Sequence, residues 1–291
     1  MSIISTLRLK SRSYWSLVKS LQTGLLLLTG FAGYISARCP IITWASLLGL
    51  MGSLFLAISG STILNMVYDR DIDSLMTRTC NRPLPSGKVG VKEATVLGAG
   101  LSILGVGWAF SLDPIYGMVV FAGWFFDVVV YTLWLKRKTP WSIVWGGIAG
   151  GMPILAGRVL GLGSVDWVGI FLALSVFLWI PTHIMTFSMR YRDDYAHAGI
   201  PTFPSVYGDR TTRFLIAISS IASALFMAIA MVGVGMTWGY LRLFIVLTTG
   251  LLVLAISSLL KPSLKSNFGL FKYASIFMLG SMMMVIIGVL A

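Results

Sequence analysis

Residues 41–66 read IITWASLLGLMGSLFLAISGSTILNM, a run of 26 positions without a charged side chain. That exceeds the ~20 apolar residues a helix needs to cross the hydrocarbon of a bilayer. Overlapping its end, the chain turns polar in Asn65-Met-Val-Tyr-Asp69-Arg-Asp71-Ile-Asp73. An apolar span that ends in acids is the unit from which the rest of the chain can be read.

Working outward, similar runs recur along all 291 residues, of which 57% are hydrophobic and 11% charged, with a mean hydropathy of +0.87. Soluble domains are about 25% charged, so a soluble globule is excluded, as are disorder, a collagen-like chain and a disulfide scaffold. Spans are expected near 17–37, 41–66, 91–111, 114–135, 140–161, 165–189, 213–235, 239–260 and 269–290. Backbone in lipid must satisfy its hydrogen bonds internally. The fold class is therefore all-α, a polytopic membrane helix bundle of about nine transmembrane helices.

The net charge of +12 points to the bilayer, and not to nucleic acid, because of where the basic residues fall. Arg8, Lys10, Arg12 and Lys19 precede or open the first span, and Arg70, Arg78, Arg82, Lys88 and Lys92 follow the second. Lys136, Arg137 and Lys138 follow the fourth, and Arg190, Arg192, Arg210 and Arg213 flank the loop after the sixth. With Lys261, Lys265 and Lys272 after the eighth, 19 of 22 lie on one side, leaving Arg38, Arg158 and Arg242. The positive-inside rule then places the N-terminus in the cytoplasm and the C-terminus outside, in the cell membrane. Cys39 and Cys80 fall on opposite sides of the bilayer and are not expected to pair. The run Leu25–Ala37 reads as a retained first span and not as a cleaved signal.

Six of the ten acids, Asp69, Asp71, Asp73, Asp193, Asp194 and Asp209, gather on the inner side. Asn65, Asp69 and Asp73 are spaced i, i+4, i+8, which sets them on one stripe of a helix at an end expected to face water. Such oxygen ligands suit Mg²⁺; the other reading is a solvated acidic helix end with Arg70 and Arg78 as partners. Arg78-Thr-Cys-Asn-Arg82-Pro-Leu-Pro-Ser-Gly87 follows as a basic loop, and arginine offers a planar fork to phosphate oxygens. A second cluster, Arg190-Tyr-Arg-Asp193-Asp194-Tyr195, ends the sixth span, and Tyr131-Thr-Leu-Trp-Leu-Lys136-Arg137 ends the fourth. Adjacent aspartates cannot share a helix face, so one of Asp193 and Asp194 is expected to face the first cluster. A channel or transporter binds near the midplane; charges gathered at one face argue for an active site.

These residues resemble the UbiA-type intramembrane prenyltransferases. The resemblance rests on Asn65-x3-Asp69-x3-Asp73 with Arg78-Thr79-x2-Arg82-Pro83-Leu84. Within that superfamily the protoheme IX farnesyltransferases, or haem O synthases, form the most similar branch. The shared residues are Tyr131-Thr-x-Trp-Leu-Lys136-Arg137-x-Thr139-Pro140, Gly146-Gly147-x-Ala149-Gly150-x2-Pro153, Trp179-x-Pro181-x-His183, Asp193-Asp194-Tyr195 and Ala198-Gly199-Ile200-Pro201. Ser142, Ile154, Arg158, Thr182, Ile184 and Met185 depart from the haem-branch pattern and are expected to lie toward the acceptor. Tyr191 and Tyr195 stand where many superfamily members carry a second Asp-x3-Asp.

The resemblance implies a single transmembrane prenyltransferase domain over 1–291, with Mg²⁺ as cofactor. Farnesyl diphosphate is the implied donor and the 2-vinyl group of haem B the implied acceptor; a quinone precursor or a glyceryl phosphate lipid is the alternative acceptor. Asn65, Asp69, Asp73 and Asp193 or Asp194 would hold the metal, and Arg78, Arg82, Lys136 and Arg137 the diphosphate. Tyr131, Trp134 and Phe187 would face the allylic cation, with Tyr195 also toward substrate. His183 lies inside a span, where a polar ring is costly; it either contacts haem or makes a helix–helix hydrogen bond. Asp127 reads as a structural polar contact or a substrate contact, His197 as solvated, and Gly146-Gly147 and Gly150-Gly151 as close helix packing.

Overall fold

The computed structural model describes residues 11–39 and 42–291; Arg8, Lys10 and Ile41 lie outside the described residues. The helices are α1 (Ser20–Ser36), α2 (Trp44–Tyr68), α3 (Arg70–Leu75), α4 (Val91–Leu112) and α5 (Pro114–Phe125), which runs on as a π-helix over Phe126–Leu135. There follow α6 (Ser142–Leu162), α7 (Trp167–Arg190), α8 (Arg192–His197), α9 (Phe203–Val234), α10 (Trp238–Leu260) and α11 (Leu264–Leu290). Among the described residues eight helical segments are long and apolar enough to cross a membrane, α5 and its π-helix counting as one. α1, with 17 residues, lies at the short end of the spanning range and falls on the first expected span, 17–37.

Helix starts follow from caps. Thr43 and Ser46 cap α2 reciprocally, Asp113 accepts from the Tyr116 N–H ahead of Pro114, and Asp166 accepts from the Gly169 N–H. Gly163 and Gly235, with φ of 73° and 79°, close α6 and α9 in the left-handed region that glycine occupies without strain. One boundary differs from expectation. α9 begins at Phe203, ten residues before the expected start, because Thr202 and Ser205 form a capping box with Pro204 in the first turn. A kink at Gly208 (φ 78°) then redirects the helix into the bundle.

The spans close into a ring in which each packs on its chain neighbour, α11 returns to α1, and α1 crosses to α6. That crossing is close because it has no side chains between: a Cβ on Gly33 would lie 1.9 Å from the Ile154 carbonyl oxygen, and one on Gly157 1.9 Å from that of Gly30. Where α1 and α6 finish and α7 starts, the Arg158 guanidinium donates to both Asp166 oxygens at 2.7 Å and to the Ser36 carbonyl at 2.6 Å. Arg38 donates to the Val234 and Gly235 carbonyls. Two of the three arginines that the sequence sets apart from the other basic residues thus tie α1, α6, α7 and α9 together.

Of the residues that depart from the haem-branch pattern, Ile154 is fully buried beneath Gly33, Arg158 belongs to this clamp, Thr182 shares a hydrogen bond with Ser220 at 2.9 Å, and Met185 is 2% exposed in the core.

Candidate active site

The acids of the first cluster sit where α2 gives way to α3. Asp69 leaves helical geometry (φ −87°, ψ 3°), yet its N–H still donates to the Asn65 carbonyl at 2.9 Å and the Asp73 N–H to that of Asp69 at 2.8 Å. The i, i+4, i+8 stripe therefore survives the break. Contrary to the expectation of a water-facing end, Asp69 is 2% and Asp73 5% exposed. Burying carboxylates demands partners, and here the partners are not Arg70 or Arg78 but two of the cations expected to hold the diphosphate. Lys136 Nζ donates to Asp69 Oδ2, and Arg82 Nη1 donates to both Asp73 oxygens at 2.9 and 2.7 Å. Burial works against the Lys136 ammonium, but Tyr131 and Asp69 beside it outweigh that and hold its pKa above that of an ordinary lysine.

Lys136 is delivered by the π-helix. Its N–H donates to the Tyr131 carbonyl five residues back at 2.9 Å, the wide turn that recurs at functional sites. Thr132 is held inside this turn, donating to the Asp127 carbonyl at 2.7 Å while accepting from Asn65 Nδ2 at 2.8 Å. Asp127 accepts from Ser61 at 2.7 Å, so it joins α2 to the π-helix as a structural polar contact. Tyr131 keeps its ring 5.4 Å from the Lys136 ammonium. Trp134 points outward, 58% exposed, away from the site expected for it. Arg137 pairs with the exposed Asp71 through two 2.7 Å hydrogen bonds and stacks on Tyr68; its hydrogen bonds hold the Asp71 carboxyl below the usual range.

The second acidic cluster reaches the first across a small apolar core of Ile72, Met76, Ala198 and Ile200, with Tyr195 packed against it. That core seats α3 beside α8 and separates the two adjacent aspartates: Asp194 is buried and Asp193 exposed. Asp194 Oδ1 accepts from the Thr77 hydroxyl at 2.7 Å and from its N–H at 3.2 Å. These bonds hold its carboxyl below the ordinary value of 3.8. Arg78, next in the loop, lies over the rings of Phe187 and Tyr191 at 4.8 and 5.5 Å. Sequence reading missed three residues here: Thr77, Thr132, and Lys19, whose charge interacts with Arg82, Lys136 and Asp73. His183 stacks between Trp179 and Phe271, one turn and more deeper along α7.

Among the described residues no three acids, histidines or cysteines converge as a ready-made metal cage. Two buried carboxylate oxygens, Asp69 Oδ1 and Asp194 Oδ2, nevertheless have no hydrogen-bond partner. A buried acceptor left unpaired costs about 1–3 kcal/mol, and hard anionic oxygens are the donors Mg²⁺ takes. The residues therefore fit a divalent cation shared with a substrate that brings further oxygens. The glycine pairs of α6 do not cradle phosphate: Cβ atoms there would meet Tyr131, Phe177, Ile180 and Ala173 of neighbouring segments.

The family model described as the UbiA prenyltransferase family matches residues 26–279. A protein named protoheme IX farnesyltransferase from Pyrobaculum islandicum is 36% identical over 263 residues, covering 90% of this chain and 94% of its own. A solved structure of a digeranylgeranylglyceryl phosphate synthase superposes with a TM-score of 0.81 at 20% identity, covering 96% of this chain and 98% of that one. A UbiA homologue from Archaeoglobus fulgidus bound to GPP and Mg²⁺ gives 0.69 at 15%, covering 94% and 99%.

Proposed function

This chain belongs to the UbiA prenyltransferase family, and on that premise we propose that it transfers a farnesyl group from farnesyl diphosphate to the 2-vinyl group of haem B, with Mg²⁺ as cofactor. That it is a multi-pass membrane prenyltransferase follows from the family and from its apolar helices. The donor half of the proposal is carried by one observation: two partnerless buried carboxylate oxygens, on Asp69 and Asp194, beside a set of basic side chains. The acceptor half is supported by the likeness to the Pyrobaculum protein of that name.

In this reading Asp69 and Asp194 hold the metal, with Asp73 and Asn65 beside them and Asp193 outside in solvent. When bound, Mg²⁺ neutralises diphosphate charge and makes it a better leaving group. Lys136, Arg82 and Arg78 receive the anion that forms as the bond from the prenyl C1 to oxygen breaks; such preorganised charge is worth most where water is excluded. The vinyl terminal carbon forms the new bond to C1. Water adds to the cation left on the inner vinyl carbon and loses a proton, giving the hydroxyethylfarnesyl group. Tyr131 and Phe187 offer ring faces to the allylic cation. The chain acts as a single domain in the cell membrane, with this face toward the cytoplasm.

The test is transfer in membranes containing farnesyl diphosphate, Mg²⁺ and haem B, read by mass spectrometry. Farnesylated haem is expected from the wild type, with at least a hundredfold loss in Asp69→Asn and on chelation by EDTA. Unmodified haem beside a prenylated lipid or quinone precursor would transfer the proposal to the other acceptor. Full activity in Asp69→Asn would refute the metal assignment.

A further inference from the structure

Beyond the donor end, α7 carries a second pattern. Trp179, His183, Phe187 and Tyr191 recur at every fourth position, which is one stripe of a helix, and all four are half-buried. Trp179 stacks on His183 at 4.7 Å, and Phe187 lies against Tyr191 at 4.6 Å. Phe271 of α11 completes the ladder, 4.6 Å from His183 and 5.6 Å from Phe187. Ser275 Oγ lies 3.4 Å from His183 Nδ1, at the long end of hydrogen-bond range, while the Trp179 and Phe271 rings stack on the imidazole; stacking sets its plane.

Two cations from different helices converge beside this ladder. Arg190 of α7 and Lys272 of α11 lie over the same ring, Phe268, at 4.1 and 4.6 Å. Both are exposed, and among the described residues neither has a carboxylate partner. Like charges gathered over one ring repel each other, and an anion placed between them relieves that. Phe268 itself stacks with Phe271 at 5.9 Å and an interplanar angle of 9°, so the cation pair and the ladder form one continuous wall. Arg78, over Phe187, joins the wall to the donor loop.

We infer that this wall between α7 and α11 is the acceptor subsite. Its rings take the face of a planar macrocycle, and Arg190 and Lys272 bind the carboxylates at that macrocycle's edge through charge-assisted hydrogen bonds. The inference rests on the haem reading above and names residues that reading does not use. Haem B has the required chemistry, a flat π-system with two propionates on one edge. A lipid phosphate at the inner surface is the other source of anionic oxygens for the same two cations, and the experiment separates the two.

Full-length protein in nanodiscs is titrated with haem B and with its dimethyl ester, which lacks the two negative charges, and binding is followed by absorbance. Wild type and the Arg190→Gln/Lys272→Gln double variant are compared in phosphatidylcholine alone and with added phosphatidylglycerol. The variant is expected to bind haem B at least tenfold more weakly in both lipids, to bind the ester as the wild type does, and to keep its affinity for farnesyl diphosphate. Unchanged haem affinity, equal weakening toward haem and ester, or a loss confined to the anionic discs would each overturn the subsite. A wild type that binds no haem at all overturns the acceptor assignment itself. A wild type that farnesylates haem while the variant retains full affinity overturns the subsite and leaves the acceptor assignment standing.

Discussion

Asp194 and Thr77 are 117 positions apart in the chain and 2.7 Å apart in space. The hydroxyl and the N–H of Thr77 keep the Asp194 carboxyl ionised to lower pH than an ordinary aspartate. The sign follows from linkage: a depressed native pKa contributes stability that is complete above 3.8 and lost as pH falls through the lower native value. Thr77→Val removes the hydroxyl donor and keeps the shape. The acid limb of its kcat/KM profile is expected to move to higher pH, with little change near neutrality; a pH–rate profile checks this, and an unmoved limb would separate Asp194 from the essential groups. At this scale the sequence was informative about residue types and spacing. Asn65, Asp69 and Asp73 stand together as their period requires, and the loops supply the cations. The pairing of Lys136 with Asp69 was not legible, because a 67-residue separation carries no periodic signal, and that of Arg82 with Asp73, nine residues apart, depends on how the intervening loop turns back. The choice between Asp193 and Asp194 needed the apolar core under α3 and α8, whose four residues come from two segments distant in the chain.

At the scale of elements, the apolar runs located the spans within a few residues, since burial in lipid writes itself directly into composition. Two features escaped. The early start of α9 was hidden by Arg210 and Arg213, although Thr202-x-Pro204-Ser205 carries the capping signal. The π-helix was hidden more deeply, because its wide turn is tied by the Asn65–Thr132 hydrogen bond from another helix. The α1–α6 crossing gives a direct test of packing. Gly157→Ala forces a Cβ onto the Gly30 carbonyl and should cost at least about 1–3 kcal/mol through overpacking, lowering Tm in detergent. Gly107→Ala, where nothing lies within 4 Å, should leave Tm unchanged or raise it slightly, since alanine favours helix over glycine. Equal effects would mean that close approach does not govern this bundle.

Across the whole molecule the two ends differ in kind. One end holds the long loops, most of the acids and most of the basic residues, and the other the short turns tied by Arg38 and Arg158. Orientation is tested with single cysteines in a Cys39→Ser/Cys80→Ser background. An impermeant maleimide should label Ser164→Cys on intact cells, and Ser86→Cys only after permeabilisation; both positions are exposed. The reverse pattern would put the active face outside. The Arg158 clamp has a consequence of another order. Cell membranes store energy as an ion gradient, and any protein that admits bulky guests between its helices is a possible leak. With α1, α6 and α7 bolted together at one end, the helices can part at the other without opening a path from side to side. A cup closed at its base in this way, set into an insulating sheet, would let the sheet keep its voltage while the cup is filled and emptied.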